Sequence, residues 1–415
     1  MKHYKNITQC RVCNSKKLTA VVKIKPQFIA STFVKSNKNN PKAKIKIPMT
    51  LMLCRKCGLA QLKETVMPDL LYENYFYRSN VSNTMNRDLR DVVANVCSKV
   101  TLKHGDSVLD IGCNDGLMLT MFPKMLKRVG IDPAKNIDWS HLDKSIKIIN
   151  DYFPSIQLKK NTFKIITTTA MFYDLDDPNT AVKQIKQLLT TDGVLCIQVS
   201  YLYDTIRDMN FYDICHEHLE YYSLKTLSYL LERNGMEVFD ASTNFVNGGS
   251  LRIMAAPKEA KRQKTANLEY LLLKEKVLQL ESPQTYDTFS KLIETNTKRV
   301  KKYIENQKGL VIGLGASTKG NVMLQLCGID KKMLPFISER NPFKVGLRTL
   351  GTDILLISEE KARRLQPDCM FVIPWNFKSE IVEREKEYLL KGGKLLFIMP
   401  YPYVIDKDKD KETKL

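Results

Sequence analysis

The stretch from residue 107 to residue 116 constrains the fold more than any other part of this sequence. It begins as a short apolar strand and ends in a turn that carries Gly112 and Gly116, after which the spacing of apolar residues is helical. Residues 128–132 supply a second apolar strand, and strands continue to alternate with helical patterns as far as residue 199. This alternation predicts an α/β domain with a parallel, doubly wound sheet.

The same turn predicts a nucleotide site. Asp132 ends the second strand 20 residues beyond Gly112, the distance at which a carboxylate can bond ribose hydroxyls. Asp110 and Asp115 flank the turn, where carboxylates would repel phosphates and favour a cationic, phosphate-free cofactor; this indicates S-adenosylmethionine (SAM). The alternative is a turn that binds nothing. The predicted cofactor residues are Asp110, Gly112, Asn114, Asp115, Gly116 and Asp132.

Four of the ten cysteines form two closely spaced pairs near the N-terminus. Two residues separate Cys10 from Cys13 and Cys54 from Cys57, and 40 residues lie between the pairs. Two tight turns that each offer two thiolates are typical of one tetrahedral Zn²⁺ site, and four protein ligands leave no open position for a substrate. The zinc is therefore expected to be structural, with a redox pair or ordinary buried cysteines as the alternatives.

A second strand, glycine turn and helix follow at residues 309–321. This turn carries hydroxyls and a lysine but no acid, which suits a diphosphate held partly by backbone amides. A turn that needs glycine for its geometry alone is the alternative. Apolar strands further along the chain predict a second Rossmann-like α/β domain. The predicted diphosphate ligands are Gly315, Ser317, Thr318 and Lys319.

The chain of 415 residues is too long for one ordinary core. Of its net charge of +20, +14 falls on the first 60 residues, so the basicity is local. The sequence shows no signal-peptide pattern and no run of 18 apolar residues, and we expect a cytoplasmic protein. The expected domains are a zinc-binding domain (1–80), a SAM methyltransferase domain (81–258), a helical connector (259–308), a second Rossmann-like domain (309–405) and a disordered tail (406–415).

A histidine cluster follows the last apolar strand of the predicted parallel sheet, which ends near residue 199. It lies at the edge where such sheets hold their ligands. Two of the five histidines, His216 and His218, flank Glu217. Because histidine titrates near neutrality, the cluster is a natural general base for removing a proton from carbon or oxygen. The alternative is a polar helix start with solvated imidazoles. Upstream, Tyr75 and Tyr77 belong to an aromatic run that predicts either a pocket or packing against the next domain.

Taken in this order, the motifs resemble those of the sugar-nucleotide C-methyltransferase family, which includes C-3 methyltransferases of deoxysugar pathways. The resemblance covers essentially the whole chain. The matching segments are residues 10–57, 75–79, 110–116, 216–218, 222–223, 247–252, 313–320 and 373–377.

This resemblance implies SAM-dependent methylation at C3 of a nucleotide-linked 4-keto-6-deoxysugar. His218, supported by Glu217, would remove the C3 proton, and Tyr75 or Tyr77 would donate to the enolate oxygen. The partner would be a nucleotide-diphosphate sugar. Independently of the resemblance, we expect no membrane partner, do not expect nucleic acid, and expect a monomer or a weak homo-oligomer. The implied substrate residues also include Asp174, Asn247, Gly249, Arg252, Trp375 and Asn376.

Three positions depart from the family pattern. Asp174 and Asn247 stand where family members carry histidines, and Cys215 with His216 stands where they carry a tyrosine before the acid-histidine pair. These departures leave open which of His216 and His218 is the base and which substituents the sugar ring carries.

Two other functions fit parts of the sequence. In an RNA methyltransferase the basic N-terminal segment would bind the phosphate backbone of the RNA. That function would leave the second glycine turn and the histidine cluster without a role. The other alternative is a non-catalytic scaffold that binds SAM and organises partner enzymes.

Overall fold

The computed structural model describes residues 3–72, 83–407 and 412–415. Within this part of the chain, two large sheets of seven and nine strands form the central and C-terminal domains. Two smaller sheets, of two and four strands, belong mainly to the N-terminal module. None of the helices that the structure describes is both long and apolar enough to cross a membrane.

The N-terminal module is an antiparallel sheet that the later domains help to complete. In Ile47–Cys54 every second side chain is fully buried through residue 53, as expected for a strand with one face on a core. Ala60–Leu62 pairs with Glu220–Tyr221 of the central domain, and Phe33–Val34 pairs with Arg348–Thr349 of the C-terminal domain. The module is therefore built into both later domains. Its elements are β1 (Tyr4–Asn6), β2 (Leu18–Gln27), β3 (Phe33–Val34), β4 (Ile47–Cys54), β5 (Ala60–Leu62), β6 (Glu64–Val66) and α1 (Pro68–Tyr72).

The central domain has the predicted Rossmann-like fold with one reversed strand. Its seven-stranded sheet is parallel except for Ser250–Pro257, which runs antiparallel between Met236–Asn244 and Leu189–Ser200. The prediction of a wholly parallel sheet is wrong here because residues 245–249 form a connection too short for a parallel crossover. The elements are α2 (Asn83–Cys97), β7 (Ser107–Ile111), α3 (Leu117–Met121), β8 (Lys127–Ile131), β9 (Ile146–Ile149), β10 (Phe163–Thr169), α4 (Pro178–Leu188), β11 (Leu189–Ser200), α5 (Leu202–Arg207), β12 (Glu220–Tyr221), α6 (Leu224–Arg233), β13 (Met236–Asn244) and β14 (Ser250–Pro257).

Two helices lead into the C-terminal α/β domain, whose nine-stranded sheet ends on strand β3 of the N-terminal module. A disordered tail was predicted from residue 406, but Thr413–Lys414 pairs with Tyr403–Ile405 at the other edge of this sheet. The elements are α7 (Ala266–Val277), α8 (Pro283–Glu305), β15 (Val311–Leu314), α9 (Gly320–Cys327), β16 (Phe336–Glu339), β17 (Arg348–Thr349), β18 (Leu355–Ser358), α10 (Glu359–Arg364), β19 (Cys369–Val372), α11 (Lys378–Arg384), α12 (Lys386–Leu390), β20 (Lys394–Phe397), β21 (Tyr403–Ile405) and β22 (Thr413–Lys414).

A shared apolar core fixes the domains against one another. Leu53 of the N-terminal module, Phe211 of the central domain, Ile293 of α8 and Phe371 of the C-terminal sheet are buried in the same cluster. Burial of apolar surface is the main stabilising term in such packing. As a result, the C-terminal ends of β7, β8 and β10 line the same cavity as the C-terminal ends of β15 and β16.

Candidate active site

One cavity of about 450 Å³ brings together most of the residues that the sequence indicates. It extends from the glycine turn of the central domain to that of the C-terminal domain, at the strand ends where parallel sheets hold ligands. Tyr75 and Tyr77 lie outside the residues that the structure describes. The predicted residues that line the cavity are Asp110, Gly112, Asn114, Asp132, Asp174, Glu217, His218, Asn247, Gly315, Ser317, Thr318, Lys319 and Asn376.

Two acids of the predicted cofactor site, Asp110 and Asp132, define the central glycine turn. Asp132 fixes the turn, because its carboxylate accepts the backbone N–H of Asn114 and that of Ala134, both at 2.9 Å. Asp110 is buried beneath the turn and accepts a hydrogen bond from the Thr167 hydroxyl at 2.9 Å. Burial raises the pKa of Asp110 to about 8. A cationic ligand in the cavity would therefore stabilise the ionised carboxylate, which agrees with a sulfonium cofactor.

Two of the predicted cofactor residues shape the turn without lining the cavity. The carboxylate of Asp115 accepts the backbone N–H of Leu117 at 3.3 Å, at the start of α3. Gly116 has a φ of 75°, and a Cβ atom there would lie 2.6 Å from the Leu142 side chain. Both residues therefore set the geometry of the strand-to-helix turn.

The two histidines of the cluster have different environments. His218 lines the cavity, and its ring centroid lies 4.1 Å from that of Tyr173. His216 is fully buried away from the cavity, with Nε2 3.0 Å from the carbonyl oxygen of Ile47. Burial, helped by the positive charge of Lys319, lowers the pKa of His218 to about 3. At neutral pH His218 is therefore an uncharged imidazole, and the same shift makes the ring a weaker base than an ordinary histidine.

Glu217 lines the cavity, but its carboxylate bonds a different partner from the His218 ring that the resemblance implies it supports. Its carboxylate accepts a short hydrogen bond from the hydroxyl of Ser31, which the N-terminal module contributes to the cavity. Among the residues that the structure describes, no hydrogen bond joins Glu217 to the ring of His218. The N-terminal module therefore takes part in forming the candidate active site.

An ion pair between the two Rossmann-like domains borders the cavity. The ammonium group of Lys319, in the second glycine turn, makes a short contact with the buried carboxylate of Asp213 in the histidine segment. Burial lowers the pKa of Lys319, but the Asp213 carboxylate outweighs burial and raises this pKa above its ordinary value. The sequence predicts that Lys319 binds a diphosphate, whereas in the structure its ammonium group pairs with Asp213 of the histidine segment.

The second glycine turn has further features that suit a ligand. Gly315 has a φ of 79°, and a Cβ atom there would lie 2.8 Å from the Pro374 ring. The hydroxyl oxygen of Ser317 is buried and has no hydrogen-bond partner in the described part of the chain, although Ser317 lines the cavity. A buried hydroxyl without a partner is costly unless a ligand supplies one.

Besides Asp115 and Gly116, four predicted residues do not line the cavity and serve the fold. Arg252 is buried and donates to Asp88, Asp91 and Gln198, which ties α2 to the sheet. The Trp375 indole donates to the Asn210 side chain at 3.3 Å, between the two Rossmann-like domains. The remaining two are Gly249, where a Cβ atom would lie 2.3 Å from the Asp204 side chain, and His216.

The four paired cysteines form a compact metal site. Their Sγ atoms all lie within 4.8 Å of one another, with 3.6 Å between Cys10 and Cys57 and 3.5 Å between Cys13 and Cys54. A tetrahedral Zn²⁺ with Zn–S bonds of about 2.3 Å would separate its sulfurs by about 3.8 Å, so the four side chains fit this ion. The prediction of a four-cysteine zinc site is confirmed.

Comparison with known proteins agrees with this arrangement. Residues 80–241 match the model of a methyltransferase domain family, so the fold and the cofactor site define a SAM-dependent methyltransferase. Residues 10–72 match a family described as a zinc binding domain, and residues 245–400 match a family described as the C-methyltransferase C-terminal domain. Together the three matches show that the chain is similar to C-methyltransferases along most of its length.

Individual proteins show the same similarity. The chain is 28% identical to the C-methyltransferase NovU of Streptomyces niveus, over 97% of this chain and 98% of NovU. Two solved structures are similar over part of the chain. One is 1,6-didemethyltoxoflavin-N1-methyltransferase of Burkholderia thailandensis, at 14% identity over 42% of this chain and 80% of that chain, with a TM-score of 0.35. The other is a SAM-dependent methyltransferase of Aquifex aeolicus, at 18% identity over 43% of this chain and 98% of that chain, with a TM-score of 0.33.

Proposed function

We propose that the protein methylates C3 of a nucleotide-linked 4-keto-6-deoxysugar. The observation that carries this proposal is the single cavity, which holds the SAM-type turn, the second glycine turn and the neutral imidazole of His218. The cavity offers one glycine turn to a cofactor and the other to the nucleotide of a second ligand. The similarity to NovU, named as a C-methyltransferase, supports transfer to carbon.

We propose His218 as the general base. A correctly placed imidazole can remove a proton next to a ketone, and the negative charge that develops on the enolate beside the ring would raise the pKa of His218 as it takes the proton. The C3–H bond would break, its proton would pass to the His218 ring, and its electron pair would move towards the ketone oxygen as an enolate. With SAM bound, C3 of the enolate would form a bond to the methyl carbon while the S–CH3 bond breaks; the electron pair of that bond stays on sulfur, and S-adenosylhomocysteine is the leaving group.

Lys319 has the charge that the enolate oxygen needs. Lys319 lines the cavity, and its ammonium group is close enough to His218 to lower the pKa of that ring. Asp213 holds the ammonium group in place through their ion pair. A fixed cation beside a developing oxyanion stabilises the transition state more than the ground state, which is the main way that enzymes lower such barriers.

The proposal is tested by incubating the purified protein with SAM and a panel of nucleotide-linked 4-keto-6-deoxysugars. We expect the mass of at least one sugar nucleotide to rise by one methyl group, with the new carbon at C3 by NMR. The matched control is the corresponding 4-hydroxy sugar nucleotide, which lacks the activating ketone and should not react. Methyl transfer to RNA, with no reaction of any sugar nucleotide, would favour the alternative RNA methyltransferase.

The low pKa of His218 predicts an unusual dependence on pH. Because the folded protein keeps this ring neutral down to about pH 3, kcat/KM should show no acid limb near the ordinary histidine value of 6.5. The unfolded chain binds a proton at this ring below pH 6.5 while the folded chain does not, so this group destabilises the fold as the pH falls. We would therefore measure kcat/KM between pH 5.5 and 8 and verify folding at each pH. A sigmoidal fall centred near 6.5, with the protein still folded, would contradict the prediction.

A further inference from the structure

Helix α7 is apolar on two faces, and only one of them is covered in the described part of the chain. Seven of its twelve residues are apolar. Leu268 and Leu271 are buried in the core of the central domain, whereas Tyr270, Leu273 and Val277 are 59%, 59% and 75% exposed. A surface helix normally turns one apolar stripe to the core and polar residues to solvent. The outward face of α7 therefore has the composition of a surface that packs against something.

The three exposed side chains form one continuous stripe. Tyr270, Leu273 and Val277 are spaced by three and four positions, so they follow one another along one side of the helix. We call these three residues the α7 stripe. None of them lines the cavity. An inference about the stripe is therefore independent of the proposed function.

Two opposite charges border the α7 stripe on one side. Glu269 lies in the first turn of the helix and Lys276 in the last, and their spacing of seven positions places them on the same side. Both are exposed, and neither belongs to an ion pair among the described residues. On the other side of the stripe, the Lys274 ammonium group lies 4.7 Å and 5.6 Å from the ring centres of Tyr203 and Tyr270. Glu269 and Lys276 are thus the charges left for a partner.

We propose that the α7 stripe is the interface of a homodimer, in which two copies of the helix pack antiparallel about a two-fold axis. In such an interface the same patch of both subunits is used, and each stripe covers the other. The axis places the first turn of one helix beside the last turn of the other, on the same side of the pair. Glu269 then faces Lys276 of the partner subunit, and the pair forms twice. The opposed helix dipoles add to this attraction.

The two charges favour a second copy over a membrane surface. Anionic lipid would attract Lys276 but repel Glu269 at the same edge of the stripe. A parallel pair of helices would bring like charges together, whereas the antiparallel pair supplies a partner for both. The stripe is small, because even an aromatic side chain buries only about 150–250 Å², against about 800 Å² per partner in a standard interface. We therefore expect a weak, concentration-dependent dimer.

The first test is sedimentation equilibrium of the full-length protein at about 1–200 μM, the range suited to a weak interface. We expect a dimer that grows with concentration in the unmodified protein and is lost in Leu273→Glu, because that carboxylate would be buried without a partner. Leu272→Glu is the matched control. Leu272 is 40% exposed and lies about 100° around the helix from Leu273, outside the stripe, so this variant should keep the dimer.

Charge reversals test the antiparallel arrangement itself. Glu269→Lys and Lys276→Glu should each raise the dissociation constant about tenfold, because each turns both attractive pairs into repulsive ones. The double variant should recover the original affinity, since every pair again joins opposite charges. The chain carries a net charge of +20, so Lys276→Glu lowers the overall repulsion between copies. Weaker association of this variant would therefore report the local pair and not the total charge.

Three results would overturn the proposal. The first is an unmodified protein that stays monomeric over the whole range, and the second is a dimer that Leu273→Glu leaves intact. The third is an unchanged dissociation constant in both single charge reversals, which would exclude the antiparallel pair. Binding of monomer to vesicles of phosphatidylglycerol and phosphatidylcholine, lost in Leu273→Glu, would assign the stripe to a membrane surface instead. Circular dichroism verifies the folding of each variant, and the first measurement needs no variant at all.

Discussion

Replacing His218 with asparagine should lower kcat for C3 methylation by about 10²–10⁴-fold, the usual contribution of a positioned general base. Asparagine keeps a polar side chain beside Tyr173 but cannot accept the proton. The same variant should also lose exchange of the C3 hydrogen with deuterium when the sugar nucleotide is incubated in D₂O with S-adenosylhomocysteine. Exchange reports proton removal alone, so it separates the role of His218 from methyl transfer itself. Single-turnover kinetics and NMR of the C3 position measure both effects.

The matched control is His216→Asn. His216 is buried against the carbonyl oxygen of Ile47 and does not line the cavity, so this variant should lose stability but keep C3 exchange. Loss of exchange in His216→Asn, together with full exchange in His218→Asn, would contradict our proposal and show that His216 is the base. Both proteins must bind S-adenosylhomocysteine normally for the comparison to be valid.

Features that depend on local spacing could be predicted from the sequence. The strand, turn and helix around Gly112 follow from apolar periodicity, and the distance to Asp132 places an acid at the neighbouring strand end. The two cysteine pairs specify a tetrahedral site because each pair lies in one turn. In the first two cases the residues that must meet lie close in sequence or on adjacent parallel strands, and in the third the metal itself requires the two pairs to meet.

The direction of β14 is a feature of a different kind. Its apolar residues predict a strand, but periodicity carries no information on direction. The short connection after β13 sets that direction, and its five residues were visible in the sequence. A connection of this length predicts a reversed strand, because it is too short for a parallel crossover.

Contacts between distant parts of the chain could not be predicted. Ser31 and Glu217 are 186 positions apart, and Lys319 and Asp213 are 106 positions apart. Each pair forms only because the shared core holds three parts of the chain together. The residue types alone suggested a carboxylate that supports a histidine and a lysine that holds phosphate. The packing gives Glu217 and Lys319 different partners.

Removing the metal ligands should have consequences well beyond the N-terminal module. We expect Cys13→Ser to lose bound zinc, to lower the melting temperature strongly and to abolish methyl transfer. Structural zinc sites contribute about 10–16 kcal/mol to the folding of small zinc-binding peptides. In this chain the module also provides Ser31 to the cavity and strand β3 to the C-terminal sheet. Zinc analysis, thermal unfolding and the C3 methylation assay measure the three effects.

Cys97→Ser is the matched control, because Cys97 is a partly exposed cysteine in α2 outside the metal cluster. It should keep its zinc and show a melting temperature close to that of the unmodified protein. The physical difference between the two substitutions is that a thiolate in the cluster holds two distant turns together, whereas Cys97 only fills space. Zinc-free protein that keeps the original melting temperature and full activity would show that the module folds by its apolar core alone. In that case Ser31 would reach Glu217 without the metal, and the cluster would be dispensable for the active site.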